Sequence, residues 1–229
     1  MKNMKNMTGR QTYRFWNKKT GFTLAELLLT VTIIGIIASL TIPELITSVQ
    51  ESQYKTAFKK NYANLSNVTN QIIEDNPNAY ASWTNHNKVR DEYENYFTFL
   101  KTCNSYTPQD GVCWSIGTKY LNGASRGATS TDQNSMAVLN DGTFLSFHMN
   151  ATLCQGGSIS PCWGSVNIDV NGFKKPNTLG KDIFIVFITP TRLVPSAPDG
   201  FYGCDPQASS GRLYLGEACA RLVLTNTDY

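Results

Sequence analysis

One carboxylate, Glu26, stands inside an apolar run that extends from Phe22 to Ile42 without a Pro, a Lys or an Arg. An ionised carboxylate is costly in such surroundings, less so near the end of a span, and is tolerated when a cation or hydrogen-bond donors meet it. A second group of oxygen-bearing residues lies far downstream, at Asp169, Asn171, Asn177 and Asp182, interleaved with Gly172 and Gly180. Two chemistries suit that spacing. Asp and Asn side chains with backbone carbonyls can surround a hard cation such as calcium. The same residue types also favour tight turns and cap backbone amides without any metal. The EF-hand pattern is absent, because the twelfth residue from Asp169 is Gly180 and not Glu.

Six cysteines follow the apolar run: Cys103, Cys113, Cys154, Cys162, Cys204 and Cys219. An even number in an exported segment argues for disulfides, and six allow fifteen connectivities. Pairing neighbours in sequence closes the shortest loops, at roughly 2–4 kcal/mol for each bridge. Zinc is disfavoured, since there is no Cys-x-x-Cys pair and the two histidines, His86 and His148, are far apart in sequence. His86 reads as solvent-facing in an Asn-rich loop, and His148 as a half-buried residue at a strand end. There is no nucleophile elbow, zinc-protease helix, phosphate-binding loop or dinucleotide fingerprint. The expectation is therefore a protein that is not an enzyme and requires no cofactor, with calcium in the head as the one candidate. Trp83, Trp114 and Trp163 read as packing residues.

These residues need elements to position them. Residues 1–21 hold six basic side chains and no acid, while the net charge of the whole chain is +3. The remainder is therefore acidic by three charges and has no basic run, so no nucleic-acid partner is expected. Basic residues before an apolar segment place that side in the cytoplasm and the C-terminal part outside. About 21 apolar residues suffice to cross a bilayer as helix. Beyond Ile42, Pro43 is expected to kink the helix near the membrane surface. Tyr54, Phe58, Tyr62, Leu65, Val68 and Ile72 then recur at steps of three and four, an amphipathic stripe suited to packing on a sheet. Asn76-Pro77-Asn78 stops the helix.

The divisions expected are 1–21 as a leader, 22–42 as the transmembrane half of the helix, 43–76 as its amphipathic half and 77–229 as a head. Within the head, Val89 to Leu100 reads as a short helix and Cys103 to Cys113 as a loop. Ser135–Leu139 and Thr143–Met149 read as strands joined by the hairpin turn Asn140-Asp141-Gly142. Ile183–Ile188 and Cys219–Leu224 read as further strands, and 194–211 as loop. The fold class expected is α+β, a long N-terminal helix on an antiparallel sheet.

Lys18-Lys19-Thr20-Gly21-Phe22-Thr23-Leu24-Ala25-Glu26, the apolar stretch behind it, Gly35 and Pro43 together resemble the processing region of the type IV pilin and type II secretion pseudopilin superfamily. The resemblance covers about residues 18–45. It implies cleavage between Gly21 and Phe22 by a prepilin peptidase, N-methylation of Phe22, and a meeting of Glu26 with the N-terminus of a neighbouring subunit. It further implies a pilin-like head, and as partners other pilin or pseudopilin subunits, the peptidase, the inner-membrane assembly platform and membrane lipid. The protein would sit in the cytoplasmic membrane with its head outside, and then enter a periplasmic or surface filament. The stretch 169–182 is similar to a loop found in many pilin-like heads. Some pseudopilins bind calcium in the head, through a ligand loop unlike this one. The alternative is a membrane-anchored adhesin or binding module, with loops at 122–134 and 195–211 as its natural site.

Overall fold

The computed structural model describes residues 21–107, 110–126, 133–149, 162–196, 203–205, 207 and 215–227. The chain divides into two compact units, Met1–Ile46 and Thr47–Tyr229. Helix α1, Leu24–Asp75, runs through Pro43 and is the one element common to both. From residue 21 to 46 every side chain but Ala38 is exposed, although the sequence there is almost wholly apolar. By length and composition α1 is a helix able to cross a membrane.

In the second unit α1 is amphipathic. Phe58, Leu65, Val68 and Ile72 are buried, and Tyr54 and Tyr62 pack against the same core. Each fully buried side chain of this kind contributes about 1.5–3 kcal/mol. Two polar residues share that face. Asn61 Nδ2 donates to Thr143 Oγ1 at 3.1 Å, and the Thr69 and Tyr93 hydroxyls bond at 2.8 Å. Both are satisfied, which is the condition for burying them.

The head continues with α2 (Ala79–Ser82), α3 (His86–Glu94) and six strands: β1 (Phe99–Cys103), β2 (Ser135–Leu139), β3 (Phe144–His148), β4 (Gly164–Asp169), β5 (Ile183–Ile188) and β6 (Leu193–Pro195). Every neighbour in the sheet is the next strand in the chain, in the order β1-β2-β3-β4-β5-β6, and every pairing is antiparallel. The period of two sorts the strands between two cores. Ala137, Leu139, Leu145, Phe147, Phe184, Val186 and Ile188 belong to the core that includes the α1 stripe. Met136, Val138, Phe144, Ile183, Ile185 and Phe187 pack on the other side with Cys113, Trp114 and Leu179. Both faces are covered, so β2, β4 and β5 are buried along their whole length.

The chain is thus α+β, with a long apolar N-terminal helix followed by a six-stranded antiparallel sheet. At the β2–β3 turn, Gly142 has φ +85° and its N–H donates to Leu139 O at 3.0 Å. A left-handed glycine closing a three-residue turn is the device its Asp-Gly sequence indicates.

Three expectations are corrected. Cys219–Leu224 is not a strand but a helix, α4. Cys219, Ala220 and Val223 are its buried residues, a helical spacing, and the two alanines at 218 and 220 favour helix. The short helix begins at His86 rather than Val89 and stops at Glu94. Asn85 Oδ1 caps it by accepting from Lys88 N–H at 3.1 Å, and Phe99 is drawn into the sheet opposite Leu139. Leu193–Pro195, overlapping the start of the loop expected over 194–211, forms the short edge strand β6, where a proline is tolerated.

Candidate functional site

Gly21, Phe22 and Thr23 precede the first turn of α1 and are exposed, Phe22 by 84%. A peptide bond in exposed, non-helical chain is open to a protease. Glu26 is the third residue of the helix, and Thr23 is its N-cap. Glu26 Oε2 accepts from the Thr23 backbone N–H at 2.8 Å and from the Thr23 hydroxyl at 2.9 Å. In return Thr23 Oγ1 accepts from Glu26 N–H at 3.2 Å. This reciprocal arrangement is a capping box. The Thr-x-x-Glu spacing before an apolar run carries that signal in the sequence, and Thr23 is a functional candidate that the motif reading passed over. The carboxylate is held at the positive end of the helix dipole, three residues after Thr23 and four after Phe22. Gly35 has no heavy atom within 4 Å of where a side chain would begin.

The second candidate region is the loop from β4 to β5. Asp169 and Asp182 are fully buried, and Asn177 nearly so. Asp169 Oδ1 accepts from the N–H groups of Asn171 at 3.3 Å and Gly172 at 2.9 Å. Its Oδ2 accepts from Ser115 Oγ at 3.1 Å. Asp182 Oδ2 accepts from Asn177 N–H and Oδ1 from Thr178 N–H, both at 2.7 Å. The two carboxylates therefore fold the loop by gathering its amides. Burial holds the Asp169 carboxyl well above the usual range, and the charge of Asp182 adds to it. Burial also raises Asp182, against the bonds it accepts. Neither takes part in the ion pairs found among the described residues, Lys60–Asp141 and Arg90–Asp91. Asn171 Oδ1 and Asn177 Oδ1 are buried without a hydrogen-bond partner. Carboxylate and amide oxygens are ligands of the hard kind that calcium takes. Ser115, from the distant Trp114 segment, is the member that no local sequence signal reveals.

The histidines require a correction. His86 does not face solvent: it is half-buried at the start of α3, its ring stacked on His148 at 4.8 Å with 21° between planes. His86 Nδ1 accepts from Met149 N–H at 2.8 Å. Burial lowers the His148 pKa to about 4, with the His86 charge contributing, and burial lowers His86 as well. Cys103 is bonded to Cys113 and Cys204 to Cys219, with Cα separations of 6.2 and 4.9 Å. Cys162 is disulfide-bonded too; Cys154 lies outside the described residues. Among those residues there is no cluster of three or more His, Cys, Asp or Glu placed to hold a metal. Trp114 is fully buried and Trp83 nearly so. Trp163 stacks on Tyr80 at 4.4 Å. Of the loops suited to an adhesin site, 127–132 and 197–202 lie outside the described residues.

No curated protein and no solved structure matches the chain. Residues 16–42 match the family model for the prokaryotic N-terminal methylation motif. That segment holds Gly21, Phe22, Thr23 and Glu26 in the geometry described above. The chain thus carries, at its N-terminal end, the signature of type IV pilins and pseudopilins.

Proposed function

We propose that this chain is a structural subunit of a type II secretion pseudopilus or a type IV pilus, cut between Gly21 and Phe22 by prepilin peptidase. The observation that carries the reading is the methylation motif at 16–42 joined to an apolar, exposed first half of α1 with one capped carboxylate. A helix apolar on every side is made to be covered, first by lipid and then by like helices. After cleavage the α-amino group of Phe22 becomes a cation four residues from Glu26. Pairing across subunits sets helix register better than it adds stability. The subunit sits in the inner membrane with its head outside, and its partners are the peptidase, the assembly platform and other subunits. The test is intact mass and N-terminal sequencing of protein from host membranes. A chain beginning at N-methylated Phe22 is expected, with Glu26→Ala inserted and processed but poorly incorporated into filaments. An uncut N-terminus, or normal incorporation of the alanine variant, sinks the reading.

A second reading concerns the head loop that carries Asp169 and Asp182, where the open oxygens of Asn171 and Asn177 favour a bound calcium ion. Bound there, the ion would offset the two buried charges. Calcium added to the purified protein should then raise its unfolding midpoint. A midpoint indifferent to millimolar calcium and to chelator removes this reading and leaves the amide-gathering role.

A further inference from the structure

Tyr80 is 45% exposed, although its ring is stacked on Trp163 at 4.4 Å with 20° between planes. One face of the ring is therefore covered and the other is open. The stack is anchored in the head. Trp163 N–H donates to Ile188 O at 2.7 Å, prolonging the β4–β5 pairing. Trp83, nearly buried, meets the Trp163 ring at 5.8 Å in a T-shaped contact. Trp83 N–H donates to Tyr80 O at 3.1 Å, and Ala79 is fully buried. An open aromatic face held in place offers its negative quadrupole to the C–H bonds of a ligand.

Charge restricts what that ligand is. No Asp, Glu, Lys or Arg occurs from 76 to 87, the segment of Tyr80 and Trp83, or from 142 to 168, the segment of Trp163. Phosphates and nucleic acids are bound through basic side chains, which these segments lack. The first of them is rich in amides instead. Asn76 Oδ1 accepts from Asn78 N–H at 3.2 Å, Asn85 Oδ1 from Lys88 N–H at 3.1 Å and Asn87 Oδ1 from Ser105 N–H at 2.9 Å. Only the oxygen of an amide can meet a backbone N–H, so each bond fixes the side chain and leaves its –NH2 group as the donor end. Trp83 Nε1 and His148 Nδ1 are buried without a hydrogen-bond partner, so the polar groups here exceed what the chain itself satisfies. A pyranose ring fits this chemistry. It has C–H faces to stack, hydroxyls around its edge to bond amides, and no charge.

We propose that Tyr80, seated on Trp163, is the platform of a binding site for a neutral saccharide. The site belongs to the second compact unit and does not depend on how the first is held. The full chain, in a detergent without a sugar headgroup, is titrated with cellohexaose, maltohexaose and chitohexaose, and tryptophan emission is followed. At least one of the three should give a saturable change that high salt leaves unaltered. Tyr80→Leu keeps apolar bulk over Trp163 but loses the aromatic face, and should bind about ten-fold more weakly. Tyr80→Phe keeps the face and should stay within about two-fold of wild type. Phe173→Ala removes an exposed ring from the β4–β5 loop and should bind as wild type does. Absence of binding by all three oligosaccharides overturns the site, and so does equal binding by Tyr80→Leu. Weakening by Phe173→Ala as large as that by Tyr80→Leu also overturns it, in favour of adsorption to exposed rings in general.

Discussion

Glu26 at the head of α1 and Asp182 in the β4–β5 loop each accept two donors, but they distribute them differently. Both bonds to Glu26 fall on Oε2. Asp182 takes one amide on each oxygen. Glu26 is exposed, in a stretch whose side chains from 21 to 46 are all exposed but Ala38; Asp182 is fully buried. The first carboxylate is satisfied well enough to exist alone and can still accept a further partner. The second has both oxygens committed and organises the segment around itself. A local cap keeps a group available, whereas burial among backbone amides commits it to structure.

That contrast can be broken at either end. The largest effect is expected from Asp182→Ala, which strands the amides of Asn177 and Thr178 in the interior. The loss should be about 3 kcal/mol in denaturant unfolding without calcium. A loss under about 1 kcal/mol would mean that the loop holds its shape without the carboxylate. Next is pH. His148 has its folded pKa lowered to about 4. Its stabilising contribution is therefore complete above the unfolded value near 6.5 and declines as pH falls from there toward 4. Glu217, raised by burial to about 7, titrates with the opposite sign, so wild type must be compared with His148→Gln. Between pH 7 and 5 the wild type should lose roughly 2 kcal/mol more than the variant. Parallel pH curves would show that the stacked histidines do not resist protonation. The smallest effect is expected from Thr23→Ala, which removes the hydroxyl from both sides of the capping box. The first turn should fray by about 1 kcal/mol, read from amide exchange at residues 24–27 in micelles. Unchanged exchange would mean that Glu26 is held by something other than Thr23.

What the sequence disclosed follows from the range of the interactions concerned. The apolar run, the α1 stripe, the Asp-Gly turn and β5 are local patterns with a clear period, and the structure has them. Thr23 was legible too, since its partner is three residues away. Ser115 was not, because its contact with Asp169 spans 54 positions and depends on the whole sheet being formed. The His86–His148 stack is hidden for the same reason. Cys219–Leu224 misled because Leu-Val-Leu suits either a strand or one buried helical face, and only its tertiary packing decides. Phe99 and Leu100 continued an aromatic helical pattern until strand pairing claimed them.

The sheet order has a consequence for how the protein is made. Each strand pairs with the one synthesised just before it, so the head can be built as a succession of local ribbons while the chain is still growing. The α1 stripe has no such luck in timing. Phe58, Leu65 and Ile72 leave the ribosome first, and Phe184, Val186 and Ile188 on β5 come about 110 residues later, some 5–20 s at ordinary elongation rates. During that interval a tethered, sticky helix face awaits its cover. Crowded nascent chains would be exposed to mispairing in that window.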